Sequence, residues 1–371
     1  MKELSNYFDP IKSKFVSSFE ISNGFIGSEI SLKNFEGSKI ALIGLSETRN
    51  AFEKVEPSDL QQVRRYLYQL SAFKNLNISD LGNLKTGKTV KDTYASIEFV
   101  SKYLMDKNII PLFFGGTQDL SVPIFKVFQK EQPECVVIDS RFDSGSKHLH
   151  SKNFFKELAI NNNSIISVAG YQSYFVSQKQ LSEFESTGNW YYRLGLIRNN
   201  FSLIEPVLRD ADMVSFDLSV IRQADCPAST FTSPNGLYNE EACQLANLSG
   251  LSDKLMSFHI SEYDSSKDAN GQSAHLIAQL MWHFIYGVSQ RKGDYPVKSV
   301  ASYKKIFVKI EKPDSELIFY QNPQNNRFWV EIPTKKNNVS KVIACSEKDY
   351  RATCMGEIPD RIWKNFSKQL D

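Results

Sequence analysis

Acidic residues follow several short apolar runs of this sequence, at positions where they could bind a metal ion. Four of these acids are Asp139, Asp143, Asp217 and Glu262. If the apolar runs are parallel strands of one sheet, their carboxyl ends share one edge and the four carboxylates converge. Hard oxygen ligands of this kind suit Mn²⁺ or Mg²⁺. Any one of these acids is better explained as a cap of a turn or helix, and only the four together favour a shared metal site.

Histidine, the other common metal ligand and acid–base group, is scarce. The chain has five histidines, and two of them, His148 and His150, lie in the segment after the run DSRFD. We take His150 as a candidate general acid or base, or as a metal ligand in a remodelled site. A pair of exposed loop histidines without a chemical role is the alternative.

The elements that must position these residues alternate between short apolar runs and segments of helical periodicity. Strands are predicted at 39–45, 109–114, 135–138, 164–169, 213–216 and 255–260. Helices are predicted at 57–73, 90–107, 120–129, 176–187, 201–209, 239–249 and 271–289. This alternation predicts an α/β fold of three αβα layers around a mostly parallel central sheet.

After about residue 290 the alternation of apolar runs and long helical segments gives way to short predicted strands. Short strands are predicted at 305–310, 317–320 and 327–332, and a terminal helix at 359–370. We therefore expect three parts: an N-terminal extension at 1–34, the α/β domain at 35–290, and a small β-rich segment with a terminal helix at 291–371. A lid or brace packed on the main domain is favoured for the last part over a separate binding module.

The composition of the chain bears on whether it binds nucleic acid, contacts a membrane or is secreted. The 371 residues carry 44 Lys and Arg against 42 Asp and Glu, which gives a net charge of +2. This balance argues against a nucleic-acid-binding or polybasic membrane protein. Five cysteines without a CxxC pattern favour a reducing compartment. The N-terminus has no secretory apolar region and no apolar run approaches the ~20 residues that span a bilayer, so a cytoplasmic protein is expected.

Five segments occur in an order that is similar to a known superfamily. They are GGTQDLS (115–121), DSRFD (139–143), SFDLSVIRQADCPAS (215–229), SPNGLYNEEA (233–242) and SFHISEYD (257–264). They resemble the GGDHS, DAHxD, SxDxDxxDP, PGGLxxxEA and xExxP-type segments of the ureohydrolases, which include arginase, agmatinase and formimidoylglutamase. The resemblance implies a parallel sheet flanked by helices. It also implies a two-manganese cluster whose bridging hydroxide attacks a guanidine or formimidoyl carbon.

The resemblance assigns six metal-ligand positions, and three of them carry the expected residue. Asp139, Asp143 and Asp217 match metal-binding aspartates, while Glu262 matches the glutamate that holds the substrate guanidinium. Gln118 stands where the GGDHS motif has its histidine. One metal position therefore keeps three aspartates, and Gln118 could add a weak carbonyl ligand or hydrogen-bond Asp143.

The other metal position lacks both of the ligands that it does not share with the first metal ion. Arg141 replaces the histidine of DAHxD, and Ser219 replaces the second aspartate of the DxD pair. An arginine stays protonated at neutral pH and cannot ligate a metal. We expect its guanidinium to project among the carboxylates and to replace the second cation electrostatically.

Three interpretations of function remain open on the sequence. The first is a ureohydrolase-like protein that has lost the two-manganese site and acts as a binding or scaffold protein. The second is a hydrolase of a linear amidine that uses one metal ion at Asp139, Asp143, Asp217 and Gln118. The third is an active formimidoylglutamase-type enzyme with its ligands elsewhere. No metal or a single Mn²⁺ is thus favoured over a pair, the ligand expected is a small amidine or amino-acid-like molecule, and the resemblance implies a homo-oligomer.

Overall fold

A nine-stranded sheet dominates the structure, a computed structural model that describes residues 2–32, 34–143, 149–159, 164–296, 302–310, 315–333 and 340–367. Its strands are β1 (Phe8–Asp9), β2 (Ile40–Leu45), β3 (Ile78–Leu84), β4 (Ile110–Gly115), β5 (Glu134–Ile138), β6 (Ile165–Tyr171), β7 (Trp190–Arg193), β8 (Met213–Asp217) and β9 (Ser257–Ser261). They lie in the order β1-β3-β2-β4-β9-β8-β5-β6-β7. Of these nine strands only β1, from the N-terminal segment, runs antiparallel to its neighbour.

Helices that precede residue 290 cover both faces of this sheet, and the last two helices belong to the C-terminal part. In chain order the helices are α1 (Lys2–Ser5), α2 (Ser13–Val16), α3 (Ile26–Glu29), α4 (Gln61–Tyr68), α5 (Val90–Asp106), α6 (Ser121–Phe125), α7 (Phe155–Leu158), α8 (Gln178–Ser186), α9 (Leu194–Asn199), α10 (Glu205–Asp210), α11 (Asn239–Gly250), α12 (Gln272–Ser289), α13 (Glu347–Cys354) and α14 (Asp360–Ser367). Alternate residues of β2 enter opposite cores: Ile40 and Leu42 pack with α4, α11 and α12, and Ala41 and Ile43 pack with α5 and α6. The predicted three-layer αβα architecture is confirmed.

Some predicted elements have different limits, and three strands of the sheet were not predicted. The helix expected at 57–73 contracts to α4, and the one expected at 120–129 contracts to α6 after a short 3-10 turn. The segment 201–209 divides into a 3-10 turn and α10. The unpredicted strands are the short β1 and β7 and the longer β3, in which Asp80 and Asn83 interrupt the apolar pattern.

Two glycines turn the chain sharply where β4 ends. Gly115 has φ +89° and Gly116 has φ +69°, in the left-handed region that favours glycine. A Cβ atom on Gly115 would lie 2.5 Å from the carbonyl oxygen of Leu45 on β2. The turn carries the chain back across the sheet edge and places Gln118 in a fully buried 3-10 turn.

The C-terminal part forms a second, antiparallel sheet. Its strands β10 (Lys304–Ile310), β11 (Ser315–Gln321), β12 (Phe328–Ile332) and β13 (Lys341–Cys345) lie in sequence order. Together with α13 and α14 they bury a separate apolar core around Leu317 and Phe319. The predicted strands and terminal helix are found, whereas β13 and α13 were not predicted.

Helix α10 joins the two sheets through buried charged groups. Arg209 donates hydrogen bonds to the carbonyl oxygens of Phe328 (3.0 Å) and Cys345 (2.9 Å). Asp210 accepts a hydrogen bond from the Ala344 amide at 2.9 Å and forms an ion pair with Arg361. Because α10 precedes the amino end of β8, this contact lies at the sheet edge opposite Asp217. The described residues of the C-terminal part that contact α10 therefore lie at the sheet edge opposite the candidate site.

Each of the five cysteines is a free thiol, and Cys354 is the exposed one. No helix within the described ranges combines the length and the apolar character needed to cross a membrane.

Candidate functional site

Four neighbouring strands end where the candidate residues lie. β4, β9, β8 and β5 stand side by side and run parallel, so their carboxyl ends share one edge of the sheet. The candidates follow these strands in the same order: Gln118, Glu262, Asp217 and Asp139. The topology thus brings together side chains that the sequence places at separate strand ends.

Three aspartates form the centre of the site. One carboxylate oxygen from each of Asp139, Asp143 and Asp217 lies within 4.8 Å of the others, and all three residues are buried. Burial, and then repulsion from Asp217, raises the pKa of Asp143 to about 8. Burial and a neighbouring carboxylate likewise hold the pKa of Asp139 and of Asp217 well above its usual range. A cluster of this kind is stable only when protons or a cation offset its charge.

The amide group of Gln118 faces this cluster. The amide atom nearest the aspartates lies 3.2 Å from Asp139 Oδ2, 3.2 Å from Asp143 Oδ2 and 3.1 Å from Asp217 Oδ2. If that atom is the nitrogen, it can donate two hydrogen bonds to the three carboxylates. If it is the oxygen, Nε2 points away to Ser215 Oγ at 3.4 Å, and four oxygens face one another. The first orientation suits a metal-free cluster and the second a cation-binding cluster.

Glu262 lies beside the aspartates, but its carboxylate is already engaged by the protein. Its Oε1 accepts a hydrogen bond from the backbone amide of Gln118 at 2.8 Å, and its Oε2 accepts one from the Thr230 hydroxyl. Its backbone has φ +68°, an uncommon value for a glutamate. Burial, and then Asp217, raises its pKa to about 8. Each of these oxygens keeps a further lone pair, so the carboxylate could also accept a guanidinium donor.

The side chain of Arg141 corrects one expectation from the sequence. Its guanidinium forms no ion pair within 4.0 Å of any carboxylate in the described ranges, so the expected direct pairs with the aspartates are not formed. The guanidinium carbon lies 3.3 Å from the centre of the Phe231 ring and 4.3 Å from that of Phe175. Its backbone amide touches the cluster, through a 3.0 Å hydrogen bond to Asp139 Oδ1. The arginine charge is therefore near the cluster, held by aromatic rings.

The backbone amide of Ser219 donates a 2.6 Å hydrogen bond to Asp217 Oδ1. Ser219 also lines the cavity at the site, whose volume of about 20 Å³ is close to that of one water molecule. Five other residues that the sequence predicted also line the cavity: Asp139, Arg141, Asp143, Asp217 and Glu262. Four residues that it did not predict complete the lining: Ser151, Lys152, Thr230 and Phe231. A cavity of this size has room for a water molecule or a small ion.

His150 is not among the residues that line this cavity. Its Nδ1 accepts a 3.0 Å hydrogen bond from the Lys152 amide, and its ring packs against Phe52. Burial lowers its pKa. The neighbouring candidate His148 lies outside the described residues.

Sequence reasoning missed Lys152, Phe52 and Phe231, a cationic and two aromatic side chains at the site. The Nζ atom of Lys152 lies 4.2 Å from the centre of the Phe52 ring and 5.0 Å from that of Phe231. Loop lysines and phenylalanines are common, and these contacts join segments distant in sequence. The sequence contains no local pattern that would have identified them.

The model of the arginase family matches residues 43–287 of the sequence. This match covers more than half of the chain. The protein belongs to the arginase family. By contrast, the sequence has no significant match among curated proteins.

Solved structures of similar fold agree with this membership. Formiminoglutamase from Trypanosoma cruzi with Mn²⁺ is 18% identical, with a TM-score of 0.67, over 73% of this chain and 100% of that one. Formimidoylglutamase from Bacillus subtilis is 16% identical, with a TM-score of 0.68, over 78% and 99%. Agmatine ureohydrolase from Thermoplasma volcanium is 19% identical, with a TM-score of 0.60, over 74% and 97%. At these identities the likeness concerns the fold.

The residues at the site of this arginase-family chain differ in how well they could bind two metal ions or a single one. Arg141 and Ser219 occupy the positions that the resemblance assigns to the second ion, and a guanidinium stacked on phenylalanine offers no ligand. The donor set therefore does not fit a two-metal cluster. Asp139, Asp143 and Asp217 fit one hard cation, and Gln118 adds a fourth ligand if its carboxamide oxygen is the atom that faces them.

Proposed function

We propose that this arginase-family protein has lost the two-manganese site and the ureohydrolase activity, and acts as a binding or scaffold protein. The position of Arg141 carries the proposal. A cation fixed by Phe231 and Phe175 replaces the metal-binding histidine, so a hydroxide bridging two metal ions has no place to form. Ser219 supports the same conclusion, because its short side chain replaces a metal-binding carboxylate.

The small size of the cavity supports a role other than turnover of an amidine. Sites for small organic ligands usually measure roughly 300–1,000 Å³, against about 20 Å³ here. A small amidine or amino-acid-like ligand would enter only if Arg141 and Phe231 moved aside. On composition, we propose that the protein is cytoplasmic and contacts neither nucleic acid nor a membrane. On family resemblance, we propose that it forms a homo-oligomer.

The test is hydrolysis by the purified chain after growth and assay with MnCl2. Formimidoylglutamate, agmatine and arginine are supplied separately, and formamide, ammonia and urea are measured as products. We expect no product above the level given by an Asp143→Asn variant, which lacks a central carboxylate. Sustained turnover by the unaltered chain but not by that variant would contradict the proposal.

A second candidate function is hydrolysis of a linear amidine by a single metal ion. It is favoured by the intact carboxylates of Asp139, Asp143 and Asp217, and by Glu262 beside them. One bound cation can lower the pKa of water without a bridging partner. The same assay separates the two functions, since turnover with one metal ion per chain would favour this alternative.

A further inference from the structure

A chain of fully buried polar side chains leads from the carboxylate cluster into the sheet. Ser215 Oγ lies 3.4 Å from Gln118 Nε2 and 2.8 Å from Ser121 Oγ, and Ser121 Oγ lies 2.8 Å from His259 Nδ1. The other ring nitrogen of His259 lies 3.1 Å from the carbonyl oxygen of Gly115. We call Ser215, Ser121 and His259 the serine–histidine relay. Each of its members, like Gln118, is 0% exposed.

The far end of the relay determines the direction of its hydrogen bonds. A carbonyl oxygen only accepts, so His259 Nε2 carries a proton and donates it to Gly115. Burial lowers the pKa of His259 to about 4, so the ring is neutral at pH 7 and its Nδ1 is an acceptor. Ser121 then has to donate its one proton to Nδ1.

The same logic continues to Gln118. Because the Ser121 proton is used, the 2.8 Å contact between the two hydroxyls requires Ser215 to donate to Ser121. The Ser215 oxygen can then only accept, and Gln118 Nε2 is the donor that faces it. The carboxamide nitrogen therefore points to Ser215, and the carboxamide oxygen points to the aspartates.

We infer that the serine–histidine relay holds the Gln118 carboxamide oxygen toward Asp139, Asp143 and Asp217, and so makes the cluster a site for one hard divalent cation. This inference deepens the proposed function and depends on it, because it assumes that the second metal position is lost. Ser215, Ser121 and His259 act as positioning residues, since they reach the cation only through Gln118.

The spacing of the oxygens agrees with this assignment. Oxygen ligands at about 2.1 Å in an octahedral shell are separated by about 3.0 Å along each edge. The amide atom that faces the cluster lies 3.1–3.2 Å from one oxygen of each aspartate. A nitrogen at that place would have similar distances, so the direction of the relay decides between the two atoms.

The test titrates the metal-free chain with MnCl2 and follows the free Mn²⁺ signal by electron paramagnetic resonance. We expect one Mn²⁺ per chain. Ser215→Ala removes the acceptor that holds Nε2, and we expect the Mn²⁺ affinity to fall by roughly 10- to 100-fold, as for other outer ligand-orienting groups. His259→Leu provides a second variant, because it frees the Ser121 and Ser215 protons to reverse direction.

Two matched variants separate positioning from a general structural effect. Ser249→Ala removes a fully buried hydroxyl of α11 that bonds the Leu245 carbonyl, and its Mn²⁺ affinity should equal that of the unaltered chain. In a Gln118→Glu background both side-chain oxygens are acceptors, so Ser215→Ala should no longer weaken binding. The shift in melting temperature between EDTA and MnCl2 should follow the same order.

Two results would overturn the inference. One is an unaltered chain that binds no Mn²⁺ or Mg²⁺, which would place the amide nitrogen toward the aspartates. The other is a folded Ser215→Ala or His259→Leu variant that binds Mn²⁺ as tightly as the unaltered chain. Neither result involves hydrolysis, so the proposed loss of ureohydrolase activity is tested separately.

Discussion

The guanidinium carbon of Arg141 lies 3.3 Å from the centre of the Phe231 ring, although three buried carboxylates lie nearby. Stacking on an aromatic face suits a guanidinium because the group is planar and weakly hydrated. The charge still acts through space, and it counters the rise in the pKa of Asp139, Asp143 and Asp217. Arg141 is therefore an electrostatic neighbour of the cluster, positioned by rings from other segments.

Replacing Arg141 by methionine should destabilise the chain most when metal is removed. We expect the free energy of unfolding to fall by about 1–2 kcal/mol in EDTA, from the lost cation–aromatic contact and the lost charge. The loss should be smaller in MnCl2, because the bound cation offsets the carboxylates. Urea unfolding under both conditions measures this difference. Arg65→Met on α4 is the control, since it removes a cation–aromatic contact with Phe19 and should cost the same in both, and an equal loss for Arg141→Met would contradict the electrostatic role.

Restoring the three missing ligands should restore the second metal ion. The variant combines Gln118→His, Arg141→His and Ser219→Asp, which returns every ligand type that the family resemblance requires. We expect two Mn²⁺ per chain by elemental analysis after desalting, against one for the unaltered protein. The double variant without Ser219→Asp is the control and should hold fewer than two. If the triple variant folds and still binds one ion, Arg141 and Ser219 are not what excludes the second.

The metal-free protein should lose stability as the pH rises. The pKa of Asp143 and that of Glu262 are raised to about 8 by burial and by Asp217, against about 4 for unfolded carboxyls. Between these values the folded state binds more protons, so the free energy of unfolding falls from about pH 4 to about pH 8 and then levels off. Urea unfolding in EDTA from pH 5 to pH 9 measures the slope. Asp143→Asn should flatten it, and an equal slope in that variant would count against the assignment.

Much of the site could be predicted because strand ends in a parallel sheet share an edge. Asp217 and Glu262 each follow an apolar run, and the apolar pattern is enough to place both at the carboxyl ends of neighbouring strands. The direction of the Arg141 side chain could not be predicted, since it depends on Phe231, ninety positions along the chain. The serine–histidine relay was missed for the same reason, because its members come from three separate elements.

Strand β3 was missed because its buried face carries charge. Asp80 interrupts the apolar pattern of the run ISDLGNL, yet it is 0% exposed at its side chain. It is balanced by Arg64 of α4, whose Nε donates to Asp80 Oδ2 at 2.8 Å, and by the Tyr68 hydroxyl at 3.0 Å. A pattern that counts only apolar residues cannot find a strand whose burial depends on an ion pair with a distant helix.

Breaking this ion pair should therefore be among the most destabilising single changes in the main sheet. Arg64→Met leaves the Asp80 carboxylate buried without its cation, and we expect a loss of about 3–5 kcal/mol in the free energy of unfolding. The double variant Arg64→Met with Asp80→Leu should lose much less than the sum of the two single changes, because no buried charge remains. Urea unfolding of the four proteins gives the coupling energy. Lys102→Met, which removes an exposed pair with Asp106 on α5, is the control and should cause no measurable loss. Additive losses at Arg64 and Asp80 would mean that β3 is held in the sheet by its backbone pairing with β2 and not by this ion pair.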